Sequence, residues 1–223
     1  MTTPKTVTIA IDGAQPVSGL WLLPQRPRAC LVLAHGAGAG MTHKTMAAIA
    51  DGLAERGFAT LRYQFPYMER GSKRPDLPAI AHAAVRAAVA EAGRRSPKLP
   101  LFAGGKSFGG RMTSQAQALQ PLPGVCGLVF FGYPLHPAGK PSAERAAHLA
   151  EVTVPMLFLQ GSRDTLAEVD LLRPVVADLG KRATLALFAD ADHSFHVPAK
   201  TGRKDAEVLA EILDTAAGWM TQR

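Results

Sequence analysis

Cysteine is nearly absent from the chain: Cys30 and Cys126 are the only two among 223 residues. Two thiols cannot form the dense disulfide framework that holds small secreted domains together. Long apolar runs are absent too, since none approaches the ~20 residues that cross a bilayer. The segment Met1–Ala10 has no basic stretch followed by an apolar one, so no signal peptide is visible. The expectation is a cytoplasmic protein with no membrane partner.

Aromatic residues are scarce, at 6%, and none is interleaved with the basic clusters Arg70/Lys73/Arg74, Arg94/Arg95/Lys98, Lys181/Arg182 and Lys200/Arg203/Lys204. Single-strand nucleic-acid binders combine cations with stacking aromatics. The formal charge of +7 is scattered along the chain, which fits a solvated surface. No nucleic-acid partner is expected. A basic field that attracts anionic substrates is the minority reading.

Missing glycines exclude two nucleotide motifs. Gly105-Lys106-Ser107 ends like a phosphate-binding loop, but Pro100 stands where that loop needs its first glycine. Gly36-Ala37-Gly38-Ala39-Gly40 has the spacing G-x-G-x-G. Met41 and His43 occupy the places where a dinucleotide fingerprint needs another glycine.

Apolar residues are plentiful, at 47%, and the length suits one α/β domain over residues 1–223. Val7, Ile9 and Ile11 alternate with Thr8 and Ala10. Asp12-Gly13 offers a turn, and Gly19–Leu23 reads as a second edge strand. Continuous apolar runs then recur at Cys30–Ala34, Phe58–Tyr63, Leu99–Ala103, Val125–Phe131, Val154–Leu159 and Ala183–Phe188. Such runs belong to strands covered on both faces. Helical patterns separate them at 42–56, 77–95 with Asp76 as cap, 169–179 and 204–220. Alternating strand and helix predicts a mostly parallel sheet with helices on both faces. Loops after its strands converge at one edge, where such folds bind ligands.

Gly105-Lys106-Ser107-Phe108-Gly109 lies between the run Leu99–Ala103 and a helical segment carrying Met112, Ala116 and Leu119. In that setting G-x-S-x-G is a nucleophile elbow: a sharp strand-to-helix turn exposes the serine, and small residues must stand two before and two after it. Asp164 follows the run Val154–Leu159, and His193 follows Ala183–Phe188. Three candidates past three separate strands, in the order Ser107, Asp164, His193, form a candidate catalytic triad. His196 is a rival base. Asp190 and Asp192 sit too near His193 in the chain to reach its inner ring nitrogen. His82 and His148 fall in predicted helices and His136 in a loop, which suggests surface groups. His35 reads as structural. The oxyanion is expected to be held by the backbone N–H groups of Phe108 and Ala37, the latter in the glycine-rich turn.

These residues resemble the α/β-hydrolase superfamily, and within it small dienelactone-hydrolase-like enzymes. The resemblance spans the edge strands, His35-Gly36-Ala37-Gly38, the Gly105–Gly109 elbow, Gly161-Ser162-Arg163-Asp164 and Asp192-His193-Ser194-Phe195. Phe65-Pro66-Tyr67 is similar to a bacterial group with His-Gly-Ala-Gly, itself similar to a eukaryotic branch found in chromatin complexes. Dienelactone hydrolases proper use a cysteine nucleophile, so that substrate does not carry over to Ser107. The resemblance implies an eight-stranded sheet in the order 1-2-4-3-5-6-7-8. Cys30 and Cys126 would then lie two strands apart, ~9.6 Å, too far for a disulfide. It also implies that the segment from His136 to Thr153, with one short helix around Ser142–Ala150, is a minimal lid.

The function so implied is a serine hydrolase of small or medium carboxylic esters or thioesters, working through an acyl-enzyme without metal or organic cofactor, as a monomer or homodimer. Tyr67 and Met68 are expected to touch substrate, and Arg70, Lys73 and Arg74 to attract a carboxylate. A serine peptidase or acyltransferase would use the same triad. A protein-interaction module of hydrolase shape, with little or no catalysis, is the alternative from another class.

Overall fold

The computed structural model describes residues 3–223, so the expected domain start at Met1 lies outside the described residues. Among the described residues eight strands form one sheet: β1 (Lys5–Ile11), β2 (Ala14–Leu22), β3 (Ala29–Ala34), β4 (Phe58–Tyr63), β5 (Leu101–Lys106), β6 (Val125–Phe131), β7 (Met156–Gly161) and β8 (Ala183–Phe188). The helices are α1 (Lys44–Glu55), α2 (Pro66–Glu69), α3 (Pro78–Arg95), α4 (Phe108–Leu119), α5 (Val169–Asp178) and α6 (Asp205–Thr221). The strand order is β1-β2-β4-β3-β5-β6-β7-β8, as the resemblance implies. β1 and β2 are antiparallel additions at one edge; β4 to β8 run parallel with β3.

The continuous apolar runs reflect burial on two sides. In β3, Cys30, Val32 and Ala34 face one core, while Ala29, Leu31 and Leu33 face the other. β6 and β7 divide likewise, Phe130 and Phe158 on the first face and Phe131 and Leu159 on the second. The first face is covered by α3, α4 and α5, through small and medium residues such as Ala84, Ala88, Met112, Ala116 and Leu172. The second is covered by α1 and α6, through Ile49, Leu53, Ile212 and Leu213. Each large apolar side chain so buried contributes roughly 1.5–3 kcal/mol. Cys30 and Cys126 are free thiols on β3 and β6, with β5 between them.

Several boundaries differ from expectation for local reasons. β2 begins at Ala14 rather than Gly19, because its first three residues are exposed edge positions with no apolar signal. β5 continues past Ala103 to Lys106, since Gly104, Gly105 and Lys106 still pair with Val129, Phe130 and Phe131 of β6. β7 starts at Met156 and ends at Gly161. Asp76 does not cap α3, whose N-cap is Leu77 with Pro78 in the first turn. Its carboxylate instead accepts from the Tyr67 amide at 2.7 Å and pairs with Arg70 at 2.6 Å. Between β6 and β7 the expected short helix is a 3₁₀ stretch, Glu144–Glu151. It lies on α4, where Ser114 Oγ and His148 Nε2 are 2.8 Å apart, and adds no lid. Among the described residues no helix is long and apolar enough to cross a membrane.

Candidate active site

Ser107 is the residue on which β5 turns into α4, with φ 51° and ψ −117°. That backbone is strained for a residue with a Cβ. It persists because both sides are tied down: Ser107 N–H donates to Phe131 O at 3.2 Å, and Ser107 O accepts from Arg111 N–H at 3.1 Å. The flanking glycines are small for a steric reason. A Cβ built on Gly109 would lie 2.5 Å from both Ala34 O and His35 O, and one on Gly105 would collide with Ala34 O. The end of β3 therefore passes directly against the turn.

His193 Nε2 lies 2.8 Å from Ser107 Oγ, and His193 Nδ1 lies 2.6 Å from Asp164 Oδ2. A carboxylate only accepts, so Nδ1 carries the proton and Nε2 is free to accept from the serine hydroxyl. The structure thus brings together the three side chains nominated from the sequence, at the carboxyl ends of β5, β7 and β8. Asp164 is 2% exposed and fully engaged. Its Oδ1 accepts from Leu166 N–H at 2.8 Å, and its Oδ2 also accepts from Gln160 Nε2 at 2.5 Å.

The loop carrying His193 is held from within and from below. Asp192 Oδ1 accepts from the amides of Ser194 and His196 at 2.7 and 3.0 Å, and Phe195 takes a left-handed φ of 65°. Underneath, Lys106 Nζ donates to His193 O at 2.5 Å and sits 5.3 Å from the Phe195 ring centroid. Burial lowers the Lys106 pKa to about 8, against the opposing pull of Asp164 and Asp192. His196 turns outward to Asp205, 2.9 Å away, and its exposed ring is raised in pKa by that carboxylate. The rival base is therefore engaged elsewhere.

Two cavities meet at Ser107, and both are lined by Ala37 and Leu166. One, about 350 Å³, continues past Gly36, His43, Met46 and Ser194. The other, about 490 Å³, continues past Phe108, Met112, His136, Arg111 and Arg145. Phe108 is the first residue of α4, so its N–H has no acceptor within the helix. Ala37 is exposed on the turn after β3. Below that turn His35 is fully buried: Nδ1 bonds Gly36 O at 2.8 Å and Nε2 accepts from Phe65 N–H at 3.0 Å. Burial lowers its pKa to about 4, which keeps it neutral. Among the described residues no group of three or more His, Cys, Asp or Glu side chains is placed to hold a metal ion.

Other expectations are met by different geometry. Tyr67 is 1% exposed and lines neither cavity; its ring packs edge-on to Phe108 at 6.3 Å and to His35 at 5.9 Å. Met68 packs against the core. Both lie on the short helix α2, Pro66–Glu69, which turns them inward. Arg70 is paired with Asp76, and Lys73 and Arg74 line neither cavity. His136 is no surface group: it is fully buried and bonded to Glu168. His148 is half-buried, with a pKa lowered to about 4 by burial and by the cation of Arg111. His82 is also half-buried, against Gln115.

Lys106, Gln160, Arg111 and Arg145 escape sequence reasoning. Lys106 fills a free position of the elbow motif, and Gln160 ends an apolar strand without a partner visible in the sequence. Arg111 sits one helical turn past Ser107, the single signal that could have placed it near the site.

Solved structures share this architecture. A dienelactone hydrolase from Anabaena variabilis superposes with TM-score 0.80 at 19% identity, covering 99% of this chain and 98% of its own. A serine hydrolase without lid from Xanthomonas campestris gives 0.75 at 20% identity, covering 98% and 96%. An esterase from Pyrococcus furiosus gives 0.72 at 16%, covering 96% and 93%. At such identities the likeness is one of fold. The model of the alpha/beta hydrolase domain matches residues 27–221, and the chain belongs to that family.

Proposed function

We propose that the protein is a serine hydrolase that cleaves small or medium carboxylic esters or thioesters through an acyl-enzyme. The observation that carries this is the hydrogen-bonded relay from Ser107 Oγ to His193 Nε2 (2.8 Å) and from His193 Nδ1 to Asp164 (2.6 Å), at the junction of two cavities. Ser107 Oγ attacks the carbonyl carbon as its proton passes to His193 Nε2. Asp164 holds the ring tautomer and stabilises the imidazolium. The carbonyl oxygen, now negative, is bound by the N–H groups of Ala37 and Phe108, each worth about 3–4 kcal/mol in the transition state. Collapse expels the alcohol or thiol, which takes the proton from His193. Water then attacks the acyl-serine by the same steps, releasing the acid and restoring the Ser107 hydroxyl.

In this scheme residues 1–223 work as one catalytic domain on a small molecule. The two cavities suit its two sides, acyl group and leaving group. Among the described residues no lid covers Ser107, so long-chain fats lack apolar cover, which favours short acyl chains. The test is hydrolysis of p-nitrophenyl acetate and butyrate, together with labelling by a fluorophosphonate. Both should be lost in Ser107→Ala, with the rate down by at least ~10⁴-fold. Equal rates in that variant would remove Ser107 from the mechanism. Absence of any adduct on the folded wild-type protein would favour an interaction module.

A further inference from the structure

We propose that Arg111 and Arg145 form an anion subsite beside Ser107, so that the substrate bears a carboxylate on the part occupying their cavity. The inference rests on the hydrolase reading above and names the chemical class of substrate for that same site.

Both arginines line the 490 Å³ cavity that contains Ser107, Phe108 and Ala37. They come from separate elements. Arg111 lies on the first turn of α4, its amide bonded to Ser107 O, with the guanidinium carbon 5.8 Å from the Phe108 ring centroid. Arg145 lies on the 3₁₀ stretch after β6, its carbonyl accepting from Tyr133 O–H at 3.0 Å. Both are half-buried.

Among the described residues neither guanidinium is in an ion pair; the paired arginines are Arg56, Arg70, Arg94, Arg95 and Arg203. Arg111 Nε is buried without a hydrogen-bond partner. The carboxylate on the cavity wall, Asp76, is already shared between Arg70 and the Tyr67 amide. His136, also on the wall, is bonded to Glu168. Arg145 is close enough to lower the pKa of Arg111, reinforcing the effect of burial. Two adjacent cations partly out of water repel one another until an anion lies between them. Guanidinium forks suit planar carboxylates, which they bind through paired N–H bonds. The rest of the wall is apolar, including Met112, Pro134, Pro137 and Leu166. The cavity therefore fits a short apolar spacer ending in a charge. The smaller cavity on the other side of Ser107 has no arginine.

The experiment compares kcat/KM for matched esters. The 4-nitrophenyl monoester of adipic acid is set against its methyl diester, which tests the acyl side. Butyrate esters of 4-hydroxybenzoate, its methyl ester and 4-hydroxyphenyl phosphate test the leaving-group side. The wild type should prefer the carboxylate over its neutral partner on one side by about tenfold, mainly through KM. Arg111→Met and Arg145→Met should each collapse that ratio, and Arg111→Lys should restore part of it. A stronger preference for the phosphate ester would overturn the carboxylate assignment. Equal rates for charged and neutral esters on both sides would overturn the subsite while leaving the hydrolase intact. If no ester is turned over, the hydrolase reading falls and the subsite is read by binding. Monomethyl adipate should then raise the melting temperature of Ser107→Ala, but not of Ser107→Ala/Arg111→Met; no rise in Ser107→Ala would overturn the subsite as well.

Discussion

The ammonium of Lys106 reaches across to the carbonyl oxygen of His193, 2.5 Å away, so the residue before Ser107 anchors the loop that carries His193. Two chain segments 87 positions apart are thereby fixed to one another beside the contact between Ser107 Oγ and His193 Nε2. Lys106 is 9% exposed, and the carboxylates of Asp164 and Asp192 offset part of its burial.

Replacing this lysine by methionine keeps the stem and removes the anchor. Lys106→Met is expected to lower kcat by ~10–100-fold, because small misplacements of a catalytic group have effects of that order. KM should change little. The wild-type rate should also decline as pH rises through about 8, where the ammonium loses its charge and its bond to the carbonyl weakens. Rate profiles of the two proteins between pH 6 and 10 check this. An unchanged alkaline limb in Lys106→Met would assign that limb to another group.

Asp164 is held by Gln160 on one side and by the Leu166 amide on the other. Asp164→Asn would present an amide N–H where His193 Nδ1 donates, favouring the wrong ring tautomer. The expected loss is ~10⁴-fold in kcat with the protein still folded. Gln160→Leu should act on stability as well, since Gln160 Oε1 accepts from the buried Tyr133 amide at 2.8 Å. Leaving that donor unpaired costs about 1–3 kcal/mol. Urea unfolding and esterase assays on both variants separate the two effects.

The sheet was legible in the sequence because burial on both faces writes continuous apolar runs, as in Cys30–Ala34 and Val125–Phe131. The meeting of Ser107, Asp164 and His193 was nominated by their places just after strands, since parallel strands bring those loops to one edge. What escaped is what has no period. Lys106 looks like a free motif position, yet β5 continues through it and points it under the His193 loop. Arg111 and Arg145 look like solvated helix charges until the 3₁₀ stretch folds over α4. The burial of Tyr67 is equally hidden, because the four residues Pro66–Glu69 coil inward as a helix too short to leave a pattern.

Glycines at the elbow and on a helix face should respond in opposite ways. Gly109→Ala would push a methyl against two carbonyl oxygens of β3 and its turn, atoms that cannot swing away as a side chain can. It is expected to destabilise by about 1–3 kcal/mol and to displace Ala37, lowering esterase activity. Gly93, inside α3, has open space where a Cβ would go. Gly93→Ala should stabilise by about 0.4–1 kcal/mol with activity unchanged. Thermal unfolding of both variants is the measurement, and a stable, active Gly109→Ala protein would refute the close approach.

His35 makes stability sensitive to acid. Its Nε2 accepts the Phe65 amide, so protonation there would set two N–H groups against each other. Burial holds the folded pKa near 4, whereas an unfolded histidine titrates near 6.5. Between those values the unfolded chain binds a proton that the folded chain does not, so stability rises with pH across that window. Lowering the pH from about 6.5 toward 4 should therefore destabilise the protein by at most about 1.4 kcal/mol per pH unit from this residue. His35→Gln can still accept from Phe65 but cannot titrate. Its urea midpoint should start lower, because the fit is poorer, and fall less steeply with acid. Parallel slopes for the two proteins between pH 6.5 and 4.5 would show that the acid response comes from other groups.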